Sequence, residues 1–103
     1  MDKIAMLKEI LAQNPNDAFA RYGLAMEQAS NGETDAALTG FRELTTLHPD
    51  YTAGYQMAAQ LLIKTGRTQE AMERLQVGIA AARRTGNTLA LNEMSNMLDE
   101  LSA

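Results

Sequence analysis

The side chains that could do chemistry are few and widely spaced in this sequence. It contains one histidine, His48, directly before Pro49, and it contains no cysteine. A single imidazole without thiolates needs carboxylates to bind a transition metal, and no group of Asp and Glu residues has the spacing of metal ligands. Because His48 precedes a proline, we interpret it as a turn residue or as a cation at the C-terminal end of a helix. The sequence therefore predicts no metal site and no cofactor.

The paired charges do not form a catalytic arrangement either. Asp99 and Glu100 are adjacent, so on a helix they point to different sides and stay solvated. Arg83 and Arg84 could meet an anion, but the helix dipole alone favours cations at the C-terminal end of a helix. The sequence has no phosphate-binding loop, no dinucleotide fingerprint and no nucleophile elbow. We expect that the protein is not an enzyme.

Composition and charge exclude further classes of function. The 103 residues carry a net charge of −4, which argues against affinity for nucleic acid or an anionic membrane. Residues 51–86 are locally basic, and nucleic-acid binding through them would show as an affinity that falls steeply with salt. No apolar run approaches the ~20 residues that span a bilayer, and the first residues do not read as a secretion signal. A cytoplasmic location is expected by default.

The sequence repeats its punctuation at a fixed interval. Gly32 and Gly66 lie 34 residues apart, and the only two prolines, Pro15 and Pro49, have the same separation. The stretches NGETDAAL and TGRTQEAM, which contain the two glycines, agree in order: a small polar residue, Gly, a charge, Thr, two polar or acidic residues, Ala and an apolar residue. A repeat of this length in a chain of this size predicts two copies of one structural unit.

Six helices are predicted between the breaks. The apolar residues recur at intervals of three and four, and nothing alternates with a period of two. The predicted helices run near 3–13, 17–30, 34–47, 51–64, 68–84 and 88–101. Since the connections are short, successive helices should be antiparallel and in contact.

The helix ends are predicted from residue type. Gly32, Gly66 and Gly86 follow helices that they should end in the left-handed conformation. At the N-terminal ends, a side-chain oxygen should accept a backbone N–H, as Asn16 or Asp17 can after Pro15. The hydroxyl groups expected in the same role are those of Thr34, Thr68 and Thr88.

These features resemble the tetratricopeptide repeat, a helix pair of 34 residues. The first repeat carries Leu24, Ala25, Gly32, Ala37, Phe41 and Pro49, and the second carries Ala58, Ala59, Gly66, Ala71, Leu75 and Gly78. Two positions depart from the pattern: Arg21 stands where an aromatic residue is expected and Tyr55 is found, and Leu44 stands where the second repeat has Gly78.

The resemblance implies an all-α fold, a right-handed superhelix of antiparallel helix pairs with about six helices. We divide the single domain, 1–103, into an N-terminal half repeat at 1–16, repeats at 18–51 and 52–85, and a C-terminal capping helix at 88–101. The alanines in the repeats should allow helix axes to approach closely, and Phe41 and Leu75 should fill the space between pairs.

The resemblance also implies a binding groove, since the first helix of each pair lines a concave surface in this family. A peptide or helix of a partner protein would bind there. The groove residues predicted on this basis are Phe19, Tyr22, Met26, Ser30, Gln56, Gln60, Ile63 and Lys64, with Ala53 beside them. Family members that clamp a chaperone's acidic C-terminus use several groove cations. Only Lys64 is cationic here, so an apolar and amide-bearing ligand fits better.

Self-association is the alternative prediction. The first helix, 3–13, has rows of apolar residues on two faces, and the next helix can cover only one of them. An identical chain could cover the other and form a homodimer. The residues assigned to this contact are Ile4, Leu7 and Leu11, and Met6 and Ile10 form the second row.

Overall fold

The computed structural model describes residues 2–103, and within them the chain forms six α-helices and no strand. These are α1 (Lys3–Gln13), α2 (Ala18–Ser30), α3 (Thr34–Leu47), α4 (Thr52–Lys64), α5 (Thr68–Thr85) and α6 (Thr88–Ser102). Every predicted helix is present, and each observed bound lies within one residue of the predicted one. The all-α prediction is therefore confirmed.

The helices form two layers with different spacing. Each helix packs against the next one along the chain, and α4 also touches α2 and α6. Among the described residues, α1, α3 and α5 make no such contacts with one another. Because only α2, α4 and α6 lie side by side, their layer is the inner, concave side of the molecule, and α1, α3 and α5 lie behind it.

Three glycines end helices as predicted. Gly32, Gly66 and Gly86 have φ values of +79°, +79° and +69°, which is the left-handed region that glycine adopts without strain. After Gly32, the backbone N–H of Glu33 donates to the carbonyl of Gln28 at 2.9 Å, so the turn satisfies a carbonyl at the end of α2. The same bond recurs after the other two glycines.

The predicted threonine caps are wrong. Thr34, Thr68 and Thr88 are each the first residue within a helix, and the capping position belongs to the residue before each of them. That residue follows the glycine directly, because its N–H completes the preceding turn and the next helix starts immediately. The Asp17 cap is confirmed, since its carboxylate accepts the N–H of Ala20 at 2.9 Å.

The core depends on small residues where two helices meet. Ala25 and Ala37 are fully buried between α2 and α3, and Ala59 and Ala71 are fully buried between α4 and α5. Phe41 and Leu75 are also completely buried. This is the packing that the repeat pattern predicts, with close helix approach at the alanines and one large side chain filling the adjoining space.

The structure explains why Arg21 can stand where Tyr55 stands in the second repeat. The Nε of Arg21 donates to the carbonyl of Pro15 at 2.7 Å, and the hydroxyl of Tyr55 donates to the carbonyl of Pro49 at 2.8 Å. Both bonds reach from a helix to the proline turn six residues earlier. Guanidinium and phenol groups thus perform the same task, which is to bind the proline carbonyl at the start of α2 and α4.

The second departure, Gly78 in place of a large residue, is explained by α6. A Cβ on Gly78 would lie 2.6 Å from Sδ of Met94 and 2.7 Å from Cβ of Tyr55. Met94 is fully buried and occupies the space that the side chain of residue 78 would fill. The glycine therefore lets α6 pack closely against α5 and α4.

Gly78→Ala should destabilise the fold, although alanine is the better helix former. Overpacking of this kind costs about 1–3 kcal/mol, which exceeds the gain of roughly 0.5–1 kcal/mol from replacing a helical glycine. Urea denaturation followed by circular dichroism would measure the free energy of unfolding.

The matched control is Gly23→Ala in α2. A Cβ there would lie 3.4 Å from Cδ2 of Leu7, which is an ordinary contact distance. This variant should be neutral or more stable by up to about 1 kcal/mol. Equal effects of the two substitutions would contradict the packing role of Gly78.

Candidate functional site

The polar residues of the turns are used to join neighbouring turns. Nε2 of His48 donates to the carbonyl of Asn16 at 2.9 Å, and this bond connects the turn before α4 to the turn before α2. In the same way, Arg84 at the end of α5 pairs with Asp50 at 2.6 Å. His48 directly follows the last residue of α3, as expected of a turn residue. These contacts are structural, and they bring no reactive groups together.

Two searches of the described residues, 2–103, gave negative results. No group of three or more His, Asp and Glu side chains there is arranged to hold a metal ion. None of the helices in this part of the chain is both long and apolar enough to cross a membrane.

The predicted α2 stripe divides into an exposed part and a packed part. Phe19 has 77% of its surface exposed at the start of the helix. Tyr22 is half-buried, with its ring centroid 5.5 Å from that of Tyr51 and 6.4 Å from that of Phe41. Tyr22 is therefore a wall of the concave surface whose ring also supports the core.

Burial raises the pKa of the Tyr51 hydroxyl, and the neighbouring Tyr22 and Asp17 raise it further. The ionised form of Tyr51 is disfavoured because it would sit beside an aromatic ring and a carboxylate. The phenol is therefore held in its neutral form at the edge of the concave surface.

The predicted α4 stripe also divides. Nε2 of Gln56 donates to Oε2 of Glu93 at 2.8 Å, so this amide is already bound by α6. Gln60, Ile63 and Lys64 are exposed at the other end of the helix. The free amide and the free cation of α4 therefore lie toward its C-terminal end.

Four of the eight predicted groove residues meet at one depression of about 260 Å³ between α2 and α4. Met26 and Ser30 contribute from α2, and Gln60 and Lys64 contribute from α4. The structure does not bring Phe19, Tyr22, Gln56 or Ile63 to this depression. The other residues that line it, which the sequence reasoning missed, are Ala29, Phe41, Met57 and Leu61.

Met57 could have been found from the sequence. It precedes Gln60 by three residues, so the two side chains are neighbours on one face of α4. Phe41 and Leu61 were predicted or expected as core residues only, and they line the depression because the core is open at this point. We call the depression lined by these eight residues the α2–α4 socket.

The residues predicted for self-association lie on α1, none of whose residues is fully buried. Ile4, Leu7 and Leu11 are half-buried, and Cδ2 of Leu7 lies 3.4 Å from the position of a Cβ on Gly23 of α2. Met6 and Ile10 are the exposed apolar residues of this helix, with 47% and 40% of their surfaces accessible. The structure thus leaves the second apolar row of α1 uncovered.

Comparison with known proteins places this geometry in a family. A family model described as tetratricopeptide repeat matches residues 28–91. The chain belongs to the tetratricopeptide repeat family. The solution structure of a tetratricopeptide repeat domain protein from Salinibacter ruber is 32% identical, covers 85% of this chain and 89% of its own, and superposes with a TM-score of 0.80. A search of curated proteins found no match.

Two more distant structures share the tetratricopeptide repeat fold. The TPR2B domain of yeast Sti1, solved in a complex with pHsp70, is 17% identical, with a TM-score of 0.87 over 96% of this chain and 79% of its own. The type III secretion translocator chaperone SycD of Yersinia enterocolitica is 16% identical, with a TM-score of 0.85 over 96% of this chain and 69% of its own.

Tyr51→Phe should change the dependence of stability on alkaline pH. Because the pKa of Tyr51 is raised in the folded state, its contribution is complete below the ordinary tyrosine pKa of about 10 and is lost as the pH rises through the folded value. The difference in unfolding free energy between the parent protein and the variant should stay constant from about pH 7 to 9 and decrease above about pH 10. Urea titrations across this range would measure it, and a difference independent of pH would contradict the assignment.

Proposed function

We propose that the protein is an interaction module that binds a segment of a partner protein on the concave face of α2 and α4, without catalysis. One observation carries this proposal: the α2–α4 socket opens on the concave side and combines two methionines with an exposed amide and an exposed cation. Apolar and adaptable side chains ringed by a few polar groups are typical of surfaces that receive peptides.

The titles of two structural neighbours support this proposal. One neighbour is a domain in a complex with pHsp70, and the other is a chaperone of type III secretion translocators. Both have the fold of the present chain, so this arrangement of helices can present a surface to another protein. The identity of the partner must come from the groove residues of this chain, because both neighbours are less than a fifth identical to it.

We propose that the binding surface includes all eight groove residues. Exposed Phe19 would provide an apolar anchor at one end, and the socket would receive the ligand at the other. Tyr22 would form the wall between them, and Gln56 would contribute with its partner Glu93 from α6. Such a surface suits an extended peptide or an amphipathic helix with apolar and amide-bearing side chains.

We also propose the repeat division of the chain as the basis of this surface. The helix pairs of 18–51 and 52–85 are supported by the equivalent proline contacts of Arg21 and Tyr55. The half repeat at 1–16, whose residue 1 lies outside the described part of the chain, would precede them. The capping role of 88–101 is supported by the buried Met94 and by the exposed polar residues of α6.

Peptides selected from a random display library on the intact protein would test the groove. Phe19→Ala should weaken a selected peptide by about tenfold, because a well-exposed aromatic anchor is the residue type that dominates binding energy. Gln60→Ala should also weaken it. Isothermal titration calorimetry would measure the dissociation constants.

The matched control is Val77→Ala on α5. Val77 is an apolar residue with 45% of its surface exposed, and it lies on the layer behind the concave face. This substitution should leave peptide affinity unchanged. A peptide set that loses affinity equally with Val77→Ala, or that is insensitive to the groove substitutions, would overturn the groove assignment.

Self-association through α1 is a second candidate, and a specific observation favours it. Met6 and Ile10 are exposed on one side of α1 and lie at equal distances from Lys8, the central residue of this 11-residue helix. In an antiparallel two-fold pair, Met6 of one chain would therefore face Ile10 of the other. The row of Ile4, Leu7 and Leu11 would hold α1 to α2, with Met6 and Ile10 making the contact between chains.

Sedimentation velocity over a range of concentrations would measure this association. A pair of 11-residue helices is about 16 Å long and much smaller than a standard interface, so the dimer should form only at high protein concentration. The mass should rise toward twice 11.2 kDa, and Ile10→Glu should keep it at 11.2 kDa. A mass that stays at the monomer value at all concentrations would reject self-association.

A further inference from the structure

The α2–α4 socket has room for one large side chain. Its volume is about 260 Å³, whereas an apolar cavity of about 150 Å³ is large enough for benzene. The fully buried ring of Phe41 and the buried Leu61 lie at its base, and Met26 and Met57 stand on its α2 and α4 sides. Methionine side chains adapt their shape, so the socket can close around side chains of different form.

The rim of the socket has one charge. Ser30 and Gln60 are neutral, none of the lining residues is acidic, and Lys64 is exposed at the end of α4. None of the ion pairs made by residues 2–103 includes Lys64. The ammonium group therefore stands beside an apolar depression without a carboxylate from this chain.

We propose that the socket binds an apolar side chain of the partner that lies next to a carboxylate, with Met26 and Met57 enclosing the side chain and Lys64 holding the carboxylate. This proposal rests on the proposed function and specifies one subsite of it. A helix dipole also favours a cation at the position of Lys64. The experiment must therefore compare a carboxylate with its neutral amide on the same apolar group.

N-acetyl-L-leucine and N-acetyl-L-leucinamide provide that comparison. The intact protein, labelled with ¹³C in its methionine methyl groups, would be titrated with each compound and followed by NMR. Met26 and Met57 report on the socket, and buried Met94 and exposed Met6 serve as internal controls away from it. N-acetylglycine, which lacks the apolar side chain, serves as the ligand control.

Both leucine compounds should shift the methyl signals of Met26 and Met57 and leave those of Met6 and Met94 in place. The carboxylate should bind about two- to fivefold more tightly than the amide, which is the range for an exposed ion pair. Lys64→Gln should make the two dissociation constants equal. Lys8→Gln, which removes an exposed lysine on α1, should preserve the difference.

Three results would overturn the proposal: no shift at Met26 and Met57, shifts of equal size at all four methionines, or equal affinity for acid and amide in the parent protein. The outcome separates the socket from the proposed function. Library peptides that bind the groove while acetyl-leucine does not would reject the socket alone. Acetyl-leucine that binds as expected in a protein that selects no peptide would reject the wider function and leave the socket.

Discussion

The close approach of paired helices at alanine is the constraint on which the rest of the structure depends. Ala25 meets α3 and Ala59 meets α5 without any exposed surface, and a larger residue at either position would separate the helices of the pair. Once the pairs are closed, Phe41 and Leu75 fill the remaining space. The opposite sides of α2 and α4 then have no helix to cover them, so the concave surface follows from how the pairs are packed.

The constraint also separates the residues that build the fold from those that can carry specificity. At packing positions the two repeats have the same type of residue, or different residues with the same contact, as Arg21 and Tyr55 show at the proline carbonyls. At concave positions they differ: Met26 and Gln60 occupy equivalent places 34 residues apart. The socket lies where these unlike residues meet, and its mixed chemistry is a property of this chain that the shared fold does not determine.

Local signals were sufficient to predict the helices and the glycine turns, because apolar spacing and left-handed glycine act within a few residues. The threonine caps were predicted wrongly, since the turn after each glycine uses the next residue and shifts the cap by one position. The pairing of Gln56 with Glu93 and the stacking of Tyr22 on Tyr51 depend on residues 37 and 29 positions apart. Those contacts are set by helix packing, and residue type alone does not reveal them. For the same reason, half of the predicted groove stripe meets at the socket and half does not.

The most direct test of the concave binding surface is the structure of a complex, obtained from intermolecular NOEs between the labelled protein and a peptide selected on it. The account predicts NOEs from the peptide to the methyl groups of Met26 and Met57 and to the ring of Phe19, with the peptide lying along α2 and α4. A peptide whose NOEs are confined to the outer surfaces of α3 and α5 would contradict it.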